Sequence, residues 1–376
     1  MPRLINLDKV PSRSQRPPRE TLPEWKPSQG ARRVLELLVR YRYLSPQLVT
    51  WYIEQAGSRG GYQALHELTR VWRYGLAQRY HRPAEPWTYD LKDGRWQGPG
   101  SSQYVYTATL AGARMVVDTA DWAAERKGIE ARAREPHISF DHALAVTLLQ
   151  MLWDLGGPSS PLATTAPGGY WADRDPASPV GRGFPVGLSS AKKDVEYRRD
   201  HGLAPGQPRK YRVFPDTTVL LDWGTHTWPV FFEIERTHKN EKRELERLKA
   251  YVELLTRQRD VAGDVFLKAG YGRPQAGMVV FIGATHAHAV RLATTARVAI
   301  QLADLEKADG YPAMLFGSLE TLIAGERVED EDGKTRYVES IVEPADFFSK
   351  KLFNGLDGKL RPLLGRYGGD DERKHG

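Results

Sequence analysis

Apolar residues recur at helical spacing in the stretch RRVLELLVRYRYL, which predicts an amphipathic helix starting near Ala31. Its apolar stripe consists of Val34, Leu37, Leu38, Tyr41 and Leu44. Ser45 and Pro46 are typical of a helix start, so a second helix should follow and end at Gly57. A third helix is predicted from about Ser58, with Leu65, Leu68 and Trp72 on its inner face.

Two stretches of alternating residues come next, LAQRYHR and QYVYTAT, and the polar loop WTYDLKDGRWQGPGSS separates them. Helix, helix, helix, strand, loop, strand is the order of a winged helix-turn-helix domain, whose third helix enters the DNA major groove. The helix LAGARMVVDTADWAAERKG would close this domain. The predicted DNA-binding residues lie on the third helix, the first strand and the loop: Arg59, Gln63, His66, Arg70, Arg73, Arg79, Lys92 and Arg95. The basic positions of the third helix are also compatible with a solvated helix face.

The second half of the chain alternates strands and helices. The segments KYRVFPDTTVLLDW and WPVFFEIER flank a GTHT turn, which predicts a hairpin. A charged helix, the apolar strand AGMVVFIGA, a helix and the strand PAMLFGS follow, which indicates parallel pairing through crossovers. We therefore expect an α/β (α+β) protein, with a mixed-sheet α/β domain after the winged helix.

Composition and pattern together predict the domain limits. Between residues 156 and 190 Gly, Pro and Ser dominate without periodicity, which indicates a linker or long surface loop. The expected organisation is a basic flexible arm (1–28), a winged helix (29–125), a connecting helix and linker (126–190), the α/β domain (191–350) and a tail (351–376).

Two acidic residues interrupt the apolar stretch VFFEIERTHK of residues 230–239. In a strand, Phe231, Glu233 and Glu235 share one face, and the alternate residues point into the core. Pairing around the GTHT turn would bring Asp216 close to Glu233. Oxygen ligands of this kind suit Mg²⁺ or Mn²⁺, so the prediction is a metal site of Asp216, Glu233 and Glu235. An edge strand with solvated acids, and a turn role for Asp216, are the alternatives.

Charge and cysteine content narrow the chemistry. The 376 residues include no Cys, which excludes disulfides, thiolate metal sites and cysteine nucleophiles. The net charge of +7 is compatible with binding nucleic acid. No apolar run approaches the roughly 18 residues of a membrane helix, and the first residues lack the apolar core of a signal peptide, so we expect a cytoplasmic protein without a membrane partner.

The acidic residues carry a resemblance to a known fold. Pro215 and Asp216, the hairpin turn and the Glu-Ile-Glu of residues 233–235 resemble the core of PD-(D/E)xK nucleases. Glu235 stands where that superfamily normally has lysine, and Lys239 or Lys242 would supply the cation instead. The resemblance also implies Glu196 as an additional upstream acid. The stretch RLKAY of residues 247–251 resembles the Q-L-x-x-Y helix motif of the exonuclease branch, with arginine replacing glutamine.

Roughly residues 31–320 also resemble the replication-relaxation family of plasmids and other mobile elements. The similarity rests on RVLELLVRYRYLSPQLV, QYVYTATLAGAR, DHALAVTLL and PD…FFEIERTHKN…LKAY. The family implies DNA binding and a role in element maintenance.

The leading hypothesis is a DNA-binding protein of plasmid or mobile-element replication or transfer that acts as a Mg²⁺-dependent DNA phosphodiesterase, a nuclease or nickase. Asp216 and Glu233 would hold the metal, Glu235 or a main-chain carbonyl would complete the shell, and Lys239 or Lys242 would stabilise phosphate charge. The alternative is a non-catalytic replication or partition accessory, or a transcriptional regulator, with a degenerate nuclease fold. The expected partners are DNA, a second copy of the chain, and replication or transfer proteins of the same element.

Overall fold

A computed structural model describes these parts of the chain: 25–41, 43–57, 61–81, 88–90, 95–97, 104–117, 122, 126, 130, 140–156, 163–165, 184–188, 199, 209–222, 227–235, 241–256, 277–302, 313–321, 323–329, 335–341, 351–354 and 360–362. The chain divides into two compact units, Met1–Met151 and Leu152–Gly376. Among the described helices, none combines the length and the apolar character needed to cross a membrane. The protein is a mixed α/β structure.

Three helices begin the amino-terminal unit: α1 (Gln29–Arg40), α2 (Pro46–Gln55) and α3 (Gly61–Arg73). Side chains cap the first two, because Ser28 Oγ accepts the Ala31 N–H at 3.1 Å and Ser45 Oγ accepts the Leu48 N–H at 3.2 Å. The predicted start of the second helix at Ser45 and Pro46 is confirmed. Every position of the predicted apolar stripe in and after α1 is buried.

The strands of this unit form short antiparallel pairs. Strand β1 (Ala77–His81) pairs with β4 (Tyr104–Ala108), as the alternation predicts. The intervening polar loop contains a further pair, β2 (Thr88–Asp90) and β3 (Arg95–Gln97). Leu44 and Tyr106 also exchange backbone hydrogen bonds, at 3.0 and 2.8 Å. The segment between α1 and α2 therefore adds a one-residue bridge to the β1–β4 pair, which the sequence analysis missed.

A glycine allows the next helix, α4 (Leu110–Ala113), to lie against the turn before β1. The Thr109 N–H donates to Leu76 O at 3.0 Å, and the Thr109 hydroxyl donates to Gly75 O at 2.9 Å. A Cβ atom on Gly112 would lie 2.0 Å from Leu76 O. This position therefore requires glycine.

Helix α5 (Phe140–Gly156) contains the boundary between the two units. The strands of the main sheet of the carboxy-terminal unit, and the helices between them, are β5 (Ala163–Thr165), β8 (Thr217–Asp222), β9 (Thr227–Glu235), α6 (Glu241–Thr256), β10 (Met278–Gly283), α7 (His286–Leu302), β11 (Ala313–Ser318), β14 (Lys351–Asn354) and β15 (Leu360–Pro362). The seven strands are ordered β15-β14-β11-β10-β9-β8-β5. Strand β10 is parallel to both β9 and β11, and the other neighbouring pairs are antiparallel. The predicted hairpin and parallel crossovers are confirmed.

In the described part of the carboxy-terminal unit, two antiparallel pairs lie outside this sheet: β6 (Phe184–Leu188) with β7 (Arg209–Val213), and β12 (Ile323–Glu329) with β13 (Thr335–Ile341). Strands β5 and β6 fall inside residues 156–190, which composition had suggested as a linker. Strands β14 and β15 extend the main sheet into residues 351–376, which were predicted to be a tail. Short strands of three to five residues carry too little periodicity to stand out in a sequence rich in Gly and Pro.

Side chains cover both faces of β9. On one face, Phe231 packs into a core with Tyr251 of α6, Phe281 of β10 and Phe316 of β11. On the other, the ring of Phe232 lies 5.9 Å from that of Trp153. The prediction assigned only the Phe232 side to the core, but Phe231, on the same face as the glutamates, is fully buried as well.

Candidate carboxylate centre and nucleic-acid face

Asp216 is tied directly to β9 by the β8–β9 ladder. Val219 pairs with Val230 and Thr217 with Phe232, as the hairpin predicts. One position further, the Asp216 N–H donates to Phe232 O at 2.9 Å, and the Asp216 Oδ2 accepts the Ile234 N–H at 2.7 Å. The predicted hairpin register therefore brings Asp216 to the part of β9 that carries the glutamates.

Glu233 and Glu235 lie in the interior of the sheet. Strand β9 has β8 on one side and β10 on the other, and the two glutamates are only 5% and 2% exposed. The alternative of an edge strand with solvated acids is therefore wrong. Carboxylates this deeply buried need hydrogen-bond or charge partners to remain ionised.

Their partner is an arginine on the following helix. The Nη1 atom of Arg247, on α6, donates to Glu233 Oε2 at 3.2 Å and also to Glu235 Oε1. Arg247 is itself only 8% exposed, and its guanidinium carbon lies 5.4 Å from the Phe281 ring centroid. Its Nε and Nη2 atoms make no hydrogen bond within the described part of the chain. A single guanidinium nitrogen thus bridges the two glutamates.

Tyr251 also contacts Glu233. It lies one helical turn after Arg247, on the same face of α6. Its hydroxyl donates to Glu233 Oε1 at 2.5 Å. Burial raises the pKa of Tyr251 well above its ordinary value, and the charge of Glu233 beside it acts in the same direction. The phenol therefore stays protonated and remains a hydrogen-bond donor.

In this arrangement the glutamates are paired with a side-chain cation. Two carboxylates and one guanidinium sum to one negative charge, and the guanidinium holds the place between the carboxylates where the sequence analysis expected a metal ion. A metal ion bound by Glu233 and Glu235 would first have to displace Arg247. Among the residues described, no group of three or more His, Asp or Glu side chains is arranged as a metal-ligand set. The role of Asp216, Glu233 and Glu235 as metal ligands stays a prediction.

The structure describes one of the three remaining residues of the predicted catalytic set. Lys242 lies exposed in the first turn of α6. Lys239 and Glu196 lie outside the described residues. Arg247 and Tyr251 belong to the stretch that resembles the Q-L-x-x-Y helix motif. Their four-residue spacing places both on one face of a helix, and this is the sequence signal that could have linked them to the glutamates.

On α3 in the amino-terminal unit, Gln63, His66 and Arg73 are exposed, as predicted. Arg70 is half-buried, because its guanidinium lies 4.6 Å from the Trp25 ring centroid and donates to Glu67 Oε1 at 3.4 Å. The predicted inner residue Leu65 is only half-buried.

The guanidinium of Arg79 packs against aromatic side chains of its own unit. It lies between two aromatic rings, 3.4 Å from the Trp72 centroid and 4.0 Å from the Tyr104 centroid. It thereby joins α3 to β4 through cation–π contacts. Arg95 lies in β3, whereas Arg59 and Lys92 lie outside the described residues.

Comparisons of the chain with protein-family models, with curated proteins and with solved structures detected no significant match.

Proposed function

We propose that this protein binds DNA without cutting it, as an accessory of plasmid or mobile-element replication or transfer. In this proposal the amino-terminal unit is a winged helix-turn-helix domain and the carboxy-terminal unit is a PD-(D/E)xK-like domain whose catalytic chemistry has been lost. The order of α1, α2, α3 and the β1–β4 pair supports the first assignment. The succession β8-β9-α6-β10-α7-β11 around a mixed sheet supports the second.

The observation that favours DNA binding is the polar stripe along α3. Positions 63, 66, 70 and 73 follow helical spacing, so they share one side of the helix. Gln63, His66 and Arg73 are exposed there, and the side chain of Arg70 is 33% exposed. Amide, imidazole and guanidinium groups can reach base edges and phosphates, and the net charge of +7 favours approach to DNA.

The observation that favours binding over cleavage is the position of Arg247. Metal-dependent phosphodiester hydrolysis needs carboxylates free to coordinate the ion that activates water. Here Glu233 is held by Arg247 and Tyr251, and Glu235 is held by Arg247. The carboxylates therefore act within the core of the unit, and the carboxy-terminal unit serves as a scaffold. A second copy of the chain and other element-encoded proteins remain the proposed partners.

Fluorescence anisotropy with a labelled DNA duplex, at several salt concentrations, tests the DNA-binding proposal. We expect Arg73→Glu to weaken affinity on the order of tenfold and to reduce the slope of log Kd against log salt by about one phosphate contact. The matched control is Arg32→Glu, which makes the same charge change at an exposed position of α1. Equal weakening in both variants would mean that only net charge matters and would remove α3 from the interface.

A further inference from the structure

A cleft of about 320 Å³ opens between the helices of the amino-terminal unit. It is lined by Gln29 and Arg33 of α1, Ile53 of α2, and Gln63 and Glu67 of α3, among others. The lining combines the apolar side chain of Ile53 with amide and charged groups. Gln63 also belongs to the stripe proposed to bind DNA, but the other lining residues do not.

Glu67 is the unusual member of the lining. It is 3% exposed, although it belongs to a residue type that is rarely buried without a partner. One carboxylate oxygen, Oε1, accepts hydrogen bonds from the Ser28 hydroxyl at 3.0 Å and from Arg70 Nη1 at 3.4 Å. The other oxygen, Oε2, is buried and accepts no hydrogen bond from the described residues.

The charge of Glu67 is also incompletely balanced. The Arg70 side chain is 33% exposed, whereas that of Glu67 is 5% exposed, so solvent screens the cation more than the anion. Their 3.4 Å separation is long for a charged hydrogen bond. Glu67 lies in the wall of the cleft, and its second oxygen accepts no hydrogen bond from the described residues. Once the side chain turns toward the cleft, a cation from outside the chain would gain both charge and hydrogen-bond energy from this carboxylate.

We propose that this cleft binds a small molecule that carries a protonated amine or a guanidinium group. The cationic group pairs with the Glu67 carboxylate, and the carbon chain of the ligand contacts Ile53. The proposal does not depend on DNA binding.

Thermal unfolding and isothermal titration calorimetry of the full chain test this site. The probes are agmatine, L-arginine, which adds a carboxylate, and n-butanol as an uncharged control. We expect agmatine or L-arginine to bind with a stoichiometry near one and to raise the unfolding midpoint by several degrees near saturation, while n-butanol does neither. Absence of binding by both cationic probes would overturn the proposal.

Two substitutions separate a specific site from general attraction of cations. Glu67→Gln should abolish binding, whereas Glu36→Gln, with the same charge change at an exposed position of α1, should leave it intact. Equal binding in wild type and Glu67→Gln would contradict the proposal.

A second pair of variants tests the cleft without changing the carboxylate. A Cβ atom on Gly30 would lie 3.5 Å from Glu67 Cγ, which is an ordinary contact. Gly30→Ala should therefore retain binding, and Gly30→Leu should block it by filling the cleft. Unchanged affinity in Gly30→Leu would place the ligand elsewhere.

Discussion

Replacing Arg247 by methionine should destabilise the carboxy-terminal unit strongly. The substitution keeps an apolar side chain of similar length but removes the guanidinium from Glu233 and Glu235, which are only 5% and 2% exposed. Coulomb attraction across the 3.2 Å contact to Glu233 amounts to about 5 kcal/mol at an effective dielectric constant of about 20. Removing one partner from a buried ion pair costs about 3–5 kcal/mol, which is a large part of a typical domain stability of about 5–15 kcal/mol.

Hydrogen–deuterium exchange followed by mass spectrometry measures this loss locally, on peptides that cover β9 and α6. We expect faster exchange there, corresponding to a loss of about 3–5 kcal/mol, and a lower thermal midpoint. Arg243→Met is the matched control, because Arg243 is exposed on the same helix, and it should change stability by less than about 0.5 kcal/mol.

A second substitution tests whether repulsion between the two glutamates causes this loss of stability. Adding Glu235→Gln to Arg247→Met removes one of the two like charges, so the double variant should recover part of the lost stability. A loss below about 1 kcal/mol in Arg247→Met, or no recovery in the double variant, would show that Arg247 does not neutralise this pair.

Tyr251→Phe removes the 2.5 Å hydrogen bond to Glu233 and should lower the free energy of unfolding in urea by about 1–3 kcal/mol. An unchanged urea midpoint would show that this hydrogen bond does not stabilise the protein. Because its pKa is raised in the folded state, Tyr251 contributes stability that is present below about pH 10 and is lost as pH rises further, so wild type should lose more stability than Tyr251→Phe in strongly alkaline melts. Gly112→Ala should lower the melting temperature sharply, because its Cβ would lie 2.0 Å from Leu76 O. Gly57→Ala should cost only about 1–2 kcal/mol, since Gly57 has φ 77° with nothing within 4 Å of an added Cβ, and equal losses in the two glycine variants would refute the packing argument.

Local sequence signals were sufficient for the elements with strong periodicity or capping. Ser45 with Pro46 marked the start of α2, and the alternation on both sides of the GTHT turn gave the β8–β9 register that brings Asp216 to β9. The run of apolar residues in β10 correctly indicated a strand buried on both sides and paired in parallel. Each of these signals comes from residues that are close together in the chain.

The partner of the glutamates could not be deduced in the same way. Two acids on one strand face require a cation, but the pattern does not distinguish a metal from a side chain that a crossover helix brings back over the sheet. Helix α6 connects the parallel strands β9 and β10. Arg247 reaches Glu233 because this connecting helix returns over the sheet. The burial of Glu67 could not be predicted from the sequence either. Glu67 lies on α3 among exposed polar residues, and this pattern is typical of a solvent-exposed helix face.

Incubation of supercoiled plasmid with the full chain, at concentrations where a gel shift shows the DNA to be bound, tests directly whether the protein cuts the DNA that it binds. Reactions would contain Mg²⁺, Mn²⁺ or EDTA, with Asp216→Ala alongside. The account predicts bound plasmid that remains supercoiled with every metal and in both proteins. Nicked or linear plasmid that requires a divalent metal and disappears with Asp216→Ala would contradict it, and would show that the carboxylates leave Arg247 to bind a catalytic ion.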